Sequence, residues 1–419
     1  MKTLEIAFLD PKAGGGAIRA SKIIALRRLT GVEDCRTIPI IPQLDDIRIP
    51  ANVLESCPLI GLAFLPALIQ RTPLPGRWKL LIASDKSIYK LFNKSYNPDV
   101  VISHHDTLES LKISSHISRS LGSKSVAILQ LPQFYGDKSR FSKIQQSIDI
   151  YLALTVSSLD RVTLQDLIYY SYMRHVVPVV RKFMWNANKN LLRSFDLLLA
   201  TSPSIPLEMG DEWASRVISF QGYGLDQDEI EHLLKLRSLQ TEFSKPYSVF
   251  PARWAVTKGL ADLILASLLV KRSIPSFKLI MVGSSNKLIR SQIERLVHRL
   301  GLKDNVVLLG YMRRDEDYWY LRRKAKLTIY PSHEDSFSYT VLESLLLGVP
   351  VVAYNIPALK LNYGGVEGLY LVEESDIEAL ASKVLEVLER RRVEVGIPPV
   401  RTNYEVALEE KALIEKALS

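Results

Sequence analysis

The sequence predicts an α/β fold built from two parallel-sheet domains, on three observations. Short apolar segments typical of buried strands alternate with helical segments along most of the 419 residues. Polar residues and glycines follow several of these strands, where parallel sheets bind their ligands. The alternation is interrupted once, at 240–246, by a segment with the composition of a linker.

The first predicted domain spans residues 1–240. Its glycine triplet, Gly14-Gly15-Gly16, separates a strand at 4–9 from a helix at 17–29. The remaining predicted strands of this domain are 100–102, 125–129, 197–200 and 216–219. Because parallel strands need crossover helices, this alternation indicates a parallel sheet covered by helices.

The second predicted domain spans residues 246–396. Its predicted strands are 247–250, 277–282, 306–309, 327–330 and 350–353. Its predicted helices are 259–270, 286–300, 315–323 and 339–347. A charged amphipathic helix at 402–419 is expected to pack back across the domain junction, onto the first domain.

The composition, 47% hydrophobic and 24% charged, excludes a disordered, collagen-like or coiled-coil chain. Two cysteines are too few for a disulfide framework or a four-ligand zinc site, and they favour a reducing compartment. Residues 1–9 lack signal-peptide architecture, and no apolar run is long enough to span a bilayer. We therefore expect a cytoplasmic protein whose membrane contact, if any, is peripheral. The net charge of +9 favours anionic partners.

The most specific segment is 330–343, which reads Tyr-Pro-Ser-His-Glu-Asp-Ser-Phe-Ser-Tyr-Thr-Val-Leu-Glu and is followed by Gly-Val-Pro-Val-Val. A strand-to-helix loop presents free backbone N–H groups and a helix N-terminus, which together favour an anion. Asp335 and Glu343 could each hold a different polyol, or they could simply complement the helix N-terminus.

A second segment follows the first strand of this domain and contains Arg253 and Lys258. A guanidinium and an ammonium at this position could bind a diphosphate, or they could be a solvated surface pair. Two Asp-x-Asp sequences, at 226–228 and 315–317, fall at predicted helix starts and are interpreted as structural. No metal site is predicted.

The segment at 330–352 resembles the signature of glycosyltransferase family 4, whose retaining enzymes have the GT-B fold. That fold consists of two Rossmann-like domains that face each other across a cleft. The signature reads Pro-Ser, two residues, Glu-Gly-Phe-Gly, four residues and Glu, then a Gly-x-Pro-Val strand. This chain has Asp335 in place of the first Glu, and Ser336 and Ser338 in place of the glycines. The first-acid role is left open between Asp335 and Glu334.

The resemblance implies a role for each matched residue. Arg253 and Lys258 would hold the donor diphosphate, Asp335 the donor sugar and Glu343 the ribose diol. Further donor-binding residues would be Gly15, Gly16, Met312, Ser336, Phe337, Ser338, Tyr339 and Thr340. On the acceptor side it implies His105 and Gln130, although taken alone the adjacent pair His104-His105 favours a structural role.

The implied activity is retaining transfer of a hexose from a UDP- or GDP-linked sugar to a glycan or lipid-linked acceptor, with no metal or other cofactor. Three alternatives stay open. They are a GT-B epimerase, a sugar phosphorylase, and a nucleotide-sugar-binding protein without catalysis.

A basic and aromatic segment at 169–193 is not explained by this resemblance. It contains five basic residues, and no acidic residue occurs from 171 to 194. This pattern favours an anionic membrane surface or a lipid-phosphate acceptor, unless the segment is a helix pair with a solvated basic face. No nucleic-acid recognition module is recognisable, so nucleic acid is not expected as a partner.

Overall fold

The computed structural model describes residues 1–9, 15–41, 49–60, 63–64, 96–157, 162–239 and 246–419. The chain divides into two compact units. Unit 1 comprises Met1–Gly136, Lys182–Asp226 and Arg401–Ser419, and unit 2 comprises Asp137–Arg181 and Gln227–Val400. Gly14, in the predicted glycine triplet, and most of the predicted linker lie outside the described residues.

Unit 1 contains a seven-stranded sheet of parallel strands in the order β3-β2-β1-β4-β5-β6-β7. The strands are β1 (Lys2–Ala7), β2 (Asp34–Ile41), β3 (Ala63–Phe64), β4 (Val100–Ser103), β5 (Lys124–Leu129), β6 (Leu197–Ala200) and β7 (Val217–Ser219). The central strands are apolar and buried, as expected for a sheet covered on both faces. The strand order reverses between β1 and β4, and ligands bind at such a switch point.

Unit 2 contains a six-stranded parallel sheet in the order β10-β9-β8-β11-β12-β13. The strands are β8 (Ser248–Pro251), β9 (Leu279–Val282), β10 (Val306–Gly310), β11 (Leu327–Tyr330), β12 (Val351–Tyr354) and β13 (Leu369–Val372). Here the order reverses between β8 and β11, which are the strands that precede the two segments singled out in the sequence.

The described helices cover the two sheets. In chain order they are α1 (Gly15–Ala25), α2 (Ala51–Ser56), α3 (Leu108–Leu121), α4 (Lys138–Val156), α5 (Leu164–Ser171), α6 (Val177–Leu192), α7 (Ser204–Met209), α8 (Asp211–Ala214), α9 (Gln227–Ser238), α10 (Leu260–Ser273), α11 (Lys287–Arg299), α12 (Glu316–Arg323), α13 (Tyr339–Leu346), α14 (Pro357–Tyr363), α15 (Ile377–Glu389) and α16 (Asn403–Leu418). A π-helical turn, Tyr172–Val176, joins α5 to α6. Local sequence sets many of these ends: Thr107 caps α3 by accepting from the Ser110 N–H, and Gly122 ends it in the left-handed region.

The division of the chain differs from the sequence prediction, which placed all of 1–240 in one domain. Residues 137–181 belong to unit 2, because α4 and α5 are anchored there by specific polar contacts. The Tyr151 hydroxyl donates to Gln292 at 2.8 Å, and Arg295 pairs with Asp166 at 2.7 Å. The boundary after α6 and β7 lies at Asp226, ahead of helix α9, which belongs to unit 2.

Helix α16 belongs to unit 1. Its apolar face, which includes Val406 and Ile414, joins the core under β4, β5 and β6. Its buried Glu410 pairs with Arg27 at 2.7 Å and with Arg19. Burial raises the pKa of Glu410, but the two guanidinium groups outweigh burial and hold it at about 2. The C-terminal helix is therefore fixed by charge as well as by apolar packing.

Cys35 and Cys57 form a disulfide with a Cα–Cα distance of 4.7 Å. Both residues are buried, Cys35 in β2 and Cys57 at the end of α2. This corrects the expectation of two free thiols that a reducing compartment would favour. None of the helices in the described ranges combines the length and the apolar character that crossing a bilayer requires.

Candidate functional site

The loops after β8 and β11 lie against each other at the switch point of unit 2. Gly259 permits this approach, because it has φ of +73° and an added Cβ would lie 1.8 Å from the Pro331 carbonyl oxygen. The His333 N–H donates to the Thr257 carbonyl at 2.9 Å. Two motifs separated by more than seventy residues in sequence thus form one surface at the carboxyl ends of the strands.

Lys258 and Asp335 form an ion pair at the centre of this surface. The Lys258 ammonium donates to Asp335 Oδ2 at 3.0 Å, to the Glu334 carbonyl at 2.7 Å and to the Tyr330 hydroxyl at 3.2 Å. Burial lowers the pKa of Lys258, but the Asp335 carboxylate and Tyr330 outweigh burial and raise it above its ordinary value. Burial raises the pKa of Asp335, but Lys258 and Tyr330 bring it below its ordinary value. Both groups are therefore charged at neutral pH.

Arg253 lies exposed in the loop after β8. Its guanidinium makes no hydrogen bond or ion pair with the part of the chain that the structure describes. The backbone of this loop is held in place by the preceding strand and by the N–H of Trp254. That N–H donates to the Ser284 carbonyl at 2.9 Å. A free cation on an anchored loop is well placed to bind an anion.

The geometry distinguishes the two candidates for the first acid. Asp335 directs its carboxylate to Lys258 and also accepts from the Ser336 N–H at 3.0 Å. Glu334 meets Lys258 through its backbone carbonyl instead. The carboxylate that the structure brings to the predicted cation is therefore that of Asp335.

Helix α13 begins at this surface. Ser338 caps it, with φ of 72°, and accepts from the Val341 N–H at 3.4 Å. This left-handed backbone is the conformation that a glycine adopts most readily, so the serine occupies a strained position. The carbonyls of Ser336 and Ser338 accept from Asn362 and Tyr363 at 3.0 and 3.1 Å. These contacts fix the positive end of the helix dipole beside Lys258.

The other predicted donor residues near α13 have structural contacts. Phe337 is buried between the rings of Tyr339 and Tyr363, at 5.7 and 5.4 Å between centroids. The Thr340 hydroxyl donates to the Pro251 carbonyl at 3.0 Å. Met312 follows β10 and is itself half-buried, in an irregular segment whose neighbouring residues are exposed.

Glu343 is 2% exposed and lies between two arginines. Arg314 donates to its Oε1 at 2.6 Å, and Arg322 donates to its Oε2. Burial raises the pKa of Glu343, but Arg314 and Arg322 outweigh burial and lower it. Sequence reasoning missed these partners of the predicted ribose ligand. Arg314 also pairs with Glu229 at 2.9 Å and has a half-exposed side chain.

The switch point of unit 1 brings together three of the predicted residues. Gly16 lies in the first turn of α1, and an added Cβ there would lie 2.2 Å from Gln130 Oε1. The Gln130 amide donates to the Gly16 carbonyl at 3.4 Å and to the His104 carbonyl. Gly15 is the first residue of α1. These residues lie in the segments that follow β1, β4 and β5, at the carboxyl edge of the first sheet.

His105 is neutral and has a defined tautomer. Burial, His104 and Arg19 lower its pKa to about 3. Its Nδ1 accepts from the Phe8 N–H at 3.3 Å, so its proton lies on Nε2, which is buried and has no hydrogen-bond partner among the described residues. His105 is thus a hydrogen-bond donor at this edge. His104 instead contacts Glu5 in the buried network that includes Arg27, a structural role.

His333 is a further polar residue that sequence reasoning did not assign. It is fully buried, and its two ring nitrogens contact Asp262 at 2.6 Å and Glu374 at 2.9 Å. Neither carboxylate lies near His333 in sequence, so no local pattern could have revealed this cluster.

The first acid of each Asp-x-Asp sequence has structural contacts. Asp226 pairs with Lys22 and accepts from Asn403 at 2.7 Å, and Asp315 caps α12. Across the ranges that the structure describes, no three His, Cys, Asp or Glu side chains form a group able to hold a metal ion.

Residues 235–404 match the family described as glycosyl transferases group 1. An exopolysaccharide phosphotransferase of Streptomyces coelicolor is 34% identical over 32% of this chain and 14% of its own length. A poly(glycerol-phosphate) alpha-glucosyltransferase of Bacillus subtilis is 31% identical over 36% of this chain and 22% of its own length. The matched segments thus span less than a quarter of these two relatives.

The Anabaena protein Alr3699/HepE, solved in complex with UDP and glucose, has a similar fold. The TM-score is 0.56 at 16% identity, with 99% of each chain covered. At this identity the likeness concerns the fold alone. Together with the two parallel sheets, it confirms the predicted fold class, α/β of the GT-B type.

Proposed function

We propose that this chain transfers a hexose from a UDP- or GDP-linked sugar to a glycan or lipid-linked acceptor with retention of configuration. The match of residues 235–404 to the glycosyl transferases group 1 family supports a glycosyltransferase. The observation that carries the proposal is the cationic switch point of unit 2. There, Arg253 lies exposed in the loop after β8, which also contains Lys258. Lys258 pairs with Asp335, which precedes the N-terminus of α13.

The donor diphosphate would bind to Arg253, Lys258 and this helix N-terminus. Each presents positive charge where the leaving diphosphate gains negative charge, which is the interaction that lowers the barrier. Asp335, fixed by Lys258 and Tyr330, would accept hydroxyls of the sugar through its remaining lone pairs. Glu343 would accept the ribose diol, and Arg314, which is half exposed, would then have to move. The two cations make a metal ion unnecessary in this proposal.

The proton of the acceptor hydroxyl would pass to the leaving diphosphate. As the acceptor oxygen bonds to C1 of the sugar, the bond from C1 to the phosphate oxygen breaks, and that oxygen takes the proton on the same face. This route needs no base from the protein. In unit 1, considered by itself, His105 has its proton on Nε2, and Asp106 accepts the N–H groups of Gln130 and Leu131 at 2.7 and 2.8 Å.

A panel of radiolabelled UDP, GDP and ADP sugars with glycan and polyprenyl-phosphate acceptors tests the activity. We expect transfer from one nucleotide class, a thermal shift with the same nucleoside diphosphate, and an unchanged anomeric configuration by NMR. A thermal shift without any product would indicate a binding protein. A changed free sugar would indicate an epimerase, and transfer that needs inorganic phosphate would indicate a phosphorylase.

We also propose that the basic and aromatic segment, 169–193, attaches the protein to an anionic membrane surface, where a lipid-linked acceptor would lie. Large apolar side chains on and beside this segment are exposed: Leu164 by 73%, Val179 by 69% and Phe183 by 63%. Exposed apolar groups next to basic residues such as Arg174 suit the boundary of an anionic bilayer.

Sedimentation with liposomes tests this attachment. Binding should require anionic lipid and weaken with salt, since the Debye length falls from about 10 Å at 0.1 M to about 3 Å at 1 M. Reversing Arg181 and Lys182 to Glu should release the protein without changing nucleotide binding, whereas Arg272→Glu, an exposed control, should not. Failure of the wild type to sediment at low salt would refute this attachment and favour a soluble acceptor.

A further inference from the structure

His333 lies at the centre of a buried cluster of charged groups in unit 2. The groups that face it come from four other elements: Asp262 of α10, Arg140 of α4, Tyr354 of β12, and Glu374 after β13. His333 and Asp262 are at most 1% exposed. The cluster combines two carboxylates, one guanidinium and one imidazole.

The hydrogen bonds define the charge of the imidazole. Nε2 lies 2.6 Å from Asp262 Oδ2, and Nδ1 lies 2.9 Å from Glu374 Oε1. A carboxylate can only accept, so both ring nitrogens must donate, and only the imidazolium has two N–H groups. Arg140 donates to the same Glu374 oxygen, and the Tyr354 hydroxyl donates to Asp262 Oδ2 at 3.0 Å. Within the described ranges, the other oxygen of Asp262 is buried and has no hydrogen-bond partner, so the described hydrogen bonds of this carboxylate come from His333 and Tyr354.

The backbone of His333 connects this cluster to the donor surface. Its N–H donates to the Thr257 carbonyl at 2.9 Å, one residue before Lys258. Its carbonyl accepts from Arg140. The next carbonyl, of Glu334, accepts from the Lys258 ammonium at 2.7 Å, and the next side chain is Asp335. The backbone of His333 therefore contacts the residue before Lys258, and Asp335 lies two residues after His333. Both members of the Lys258–Asp335 pair are thus close in sequence to a contact of His333.

We propose that His333 is a positioning residue of the donor site: as an imidazolium held by Asp262 and Glu374, it fixes the loop 331–335 so that Asp335 meets Lys258. The catalytic part of this inference rests on the proposed function, and its structural part does not.

Loss of the proton would disturb the loop. A neutral ring retains one N–H, so one ring nitrogen would direct a lone pair at a carboxylate. Burial lowers the pKa of His333, but its hydrogen bonds to Asp262 and Glu374 outweigh burial and raise it above its ordinary value. The stabilisation is thus complete below the pKa of the unfolded chain and is lost as pH rises through the folded pKa. Turnover should therefore fall at alkaline pH, as His333 loses its proton.

Kinetics of His333→Gln against wild type test the role in catalysis. A misplaced site loop should lower kcat at least about tenfold while nucleotide affinity changes little, since small errors of position affect the reacting geometry most. The alkaline limb assigned to His333 should be absent from the variant. The exposed His298→Gln is the matched control and should behave as wild type. A variant that keeps full kcat, or keeps the same alkaline limb, would overturn the proposal.

NMR titration of the histidine rings provides a readout that needs no activity. Of the seven histidine signals, the one missing from His333→Gln should titrate above pH 6.5 in the wild type. Amide exchange at 333–336 should accelerate when that ring loses its proton. A ring that is neutral at pH 6.5, or exchange that is independent of its charge, would overturn the inference.

If His333→Gln fails to fold, Asp262→Asn replaces it, because this change keeps the size of the side chain and removes one charge. It should lower the pKa of the His333 ring and shift the alkaline limb downwards. A shifted ring pKa with an unmoved limb would refute the role. Absence of transfer by the wild type would refute the proposed function and leave the NMR result to decide the inference.

Discussion

At the switch point of unit 2, the loops after β8 and β11 present an exposed arginine and a lysine paired with one carboxylate. At the corresponding switch point of unit 1, between β1 and β4, the described side chains present a neutral histidine and a glutamine next to Gly16. Both sheets reverse their strand order there, so topology alone does not distinguish the two edges.

The difference lies in the charge of the loops. A cationic edge suits a diphosphate, which the proposed donor has, whereas an edge that presents the neutral hydrogen-bond donor His105 suits a polyol. In the proposed function, similar scaffolds would thus provide two binding chemistries, because the fold fixes where ligands bind and the loop residues determine which ligands bind.

Removal of the exposed arginine, Arg253, should have the largest effect on the difference in charge between the two edges. We expect Arg253→Ala to reduce transfer about a hundredfold or more, because it removes a charged donor to the developing anion. The side chain is exposed, so thermal unfolding should be unchanged. Initial rates with the best donor measure the effect, and Arg272→Ala, another exposed arginine of unit 2, is the control. Activity within a few-fold of wild type would remove Arg253 from the site.

The next largest effect should come from Asp335. Asp335→Ala should lower turnover about tenfold to a hundredfold, with less effect on nucleotide affinity, because in the proposed function the carboxylate would contact the sugar rather than the base. Rates and titrations of UDP and GDP are compared with those of Glu334→Ala, whose side chain is not the partner of Lys258. A silent Asp335→Ala with an inactive Glu334→Ala would transfer the first-acid role to Glu334.

Substitution of Glu343 should affect the binding of the nucleotide rather than that of the sugar. We expect Glu343→Ala to weaken binding of the bare nucleoside diphosphate about tenfold through the ribose diol. It should also lower thermal stability, because Arg322 would stay buried without its partner. Arg314→Ala separates the two effects: it frees Oε1 of Glu343, so calorimetry should show equal or tighter binding. Weaker binding by Arg314→Ala would mean that the arginine itself holds the nucleotide.

At the edge of unit 1, His105→Ala should raise the KM for the acceptor by less than about tenfold, because the variant loses one neutral hydrogen bond. Donor affinity should be unchanged. Because the pKa of His105 is about 3, the ring stays neutral between pH 5 and 8, so the variant should keep the pH profile of the wild type over that range. If the pH profile of His105→Ala lacked a limb that the wild type shows between pH 5 and 8, His105 would be shown to titrate during the reaction.

The smallest effect should follow metal removal. With Arg253 and Lys258 on the diphosphate, excess EDTA should leave the rate within about twofold, since the two side chains supply the charge that a metal would otherwise provide. Full loss of activity, restored by Mg²⁺ or Mn²⁺, would refute this part of the proposal.

Much of the scaffold could be predicted from local sequence. Strands β6 and β11 were predicted at their observed bounds, and α13 and β12 within one residue, because buried parallel strands and amphipathic helices have distinct periodicities. Residues 330–343 and the pair Arg253 and Lys258 were recognisable because their spacing along the chain is short. Their convergence also followed from topology, since adjacent parallel strands end at the same edge.

Tertiary structure alone decided which charges are paired. Glu343 meets Arg314 and Arg322, and His333 meets Asp262 and Glu374, through contacts between elements distant in sequence. The assignment of 137–181 to unit 2 and the Cys35–Cys57 disulfide have the same origin. The sequence by itself determined the alternating elements and the ionisable groups at their ends, because these depend on neighbours along the chain. The protonation and availability of those groups depend on burial and on partners in space, so only the folded chain could decide them.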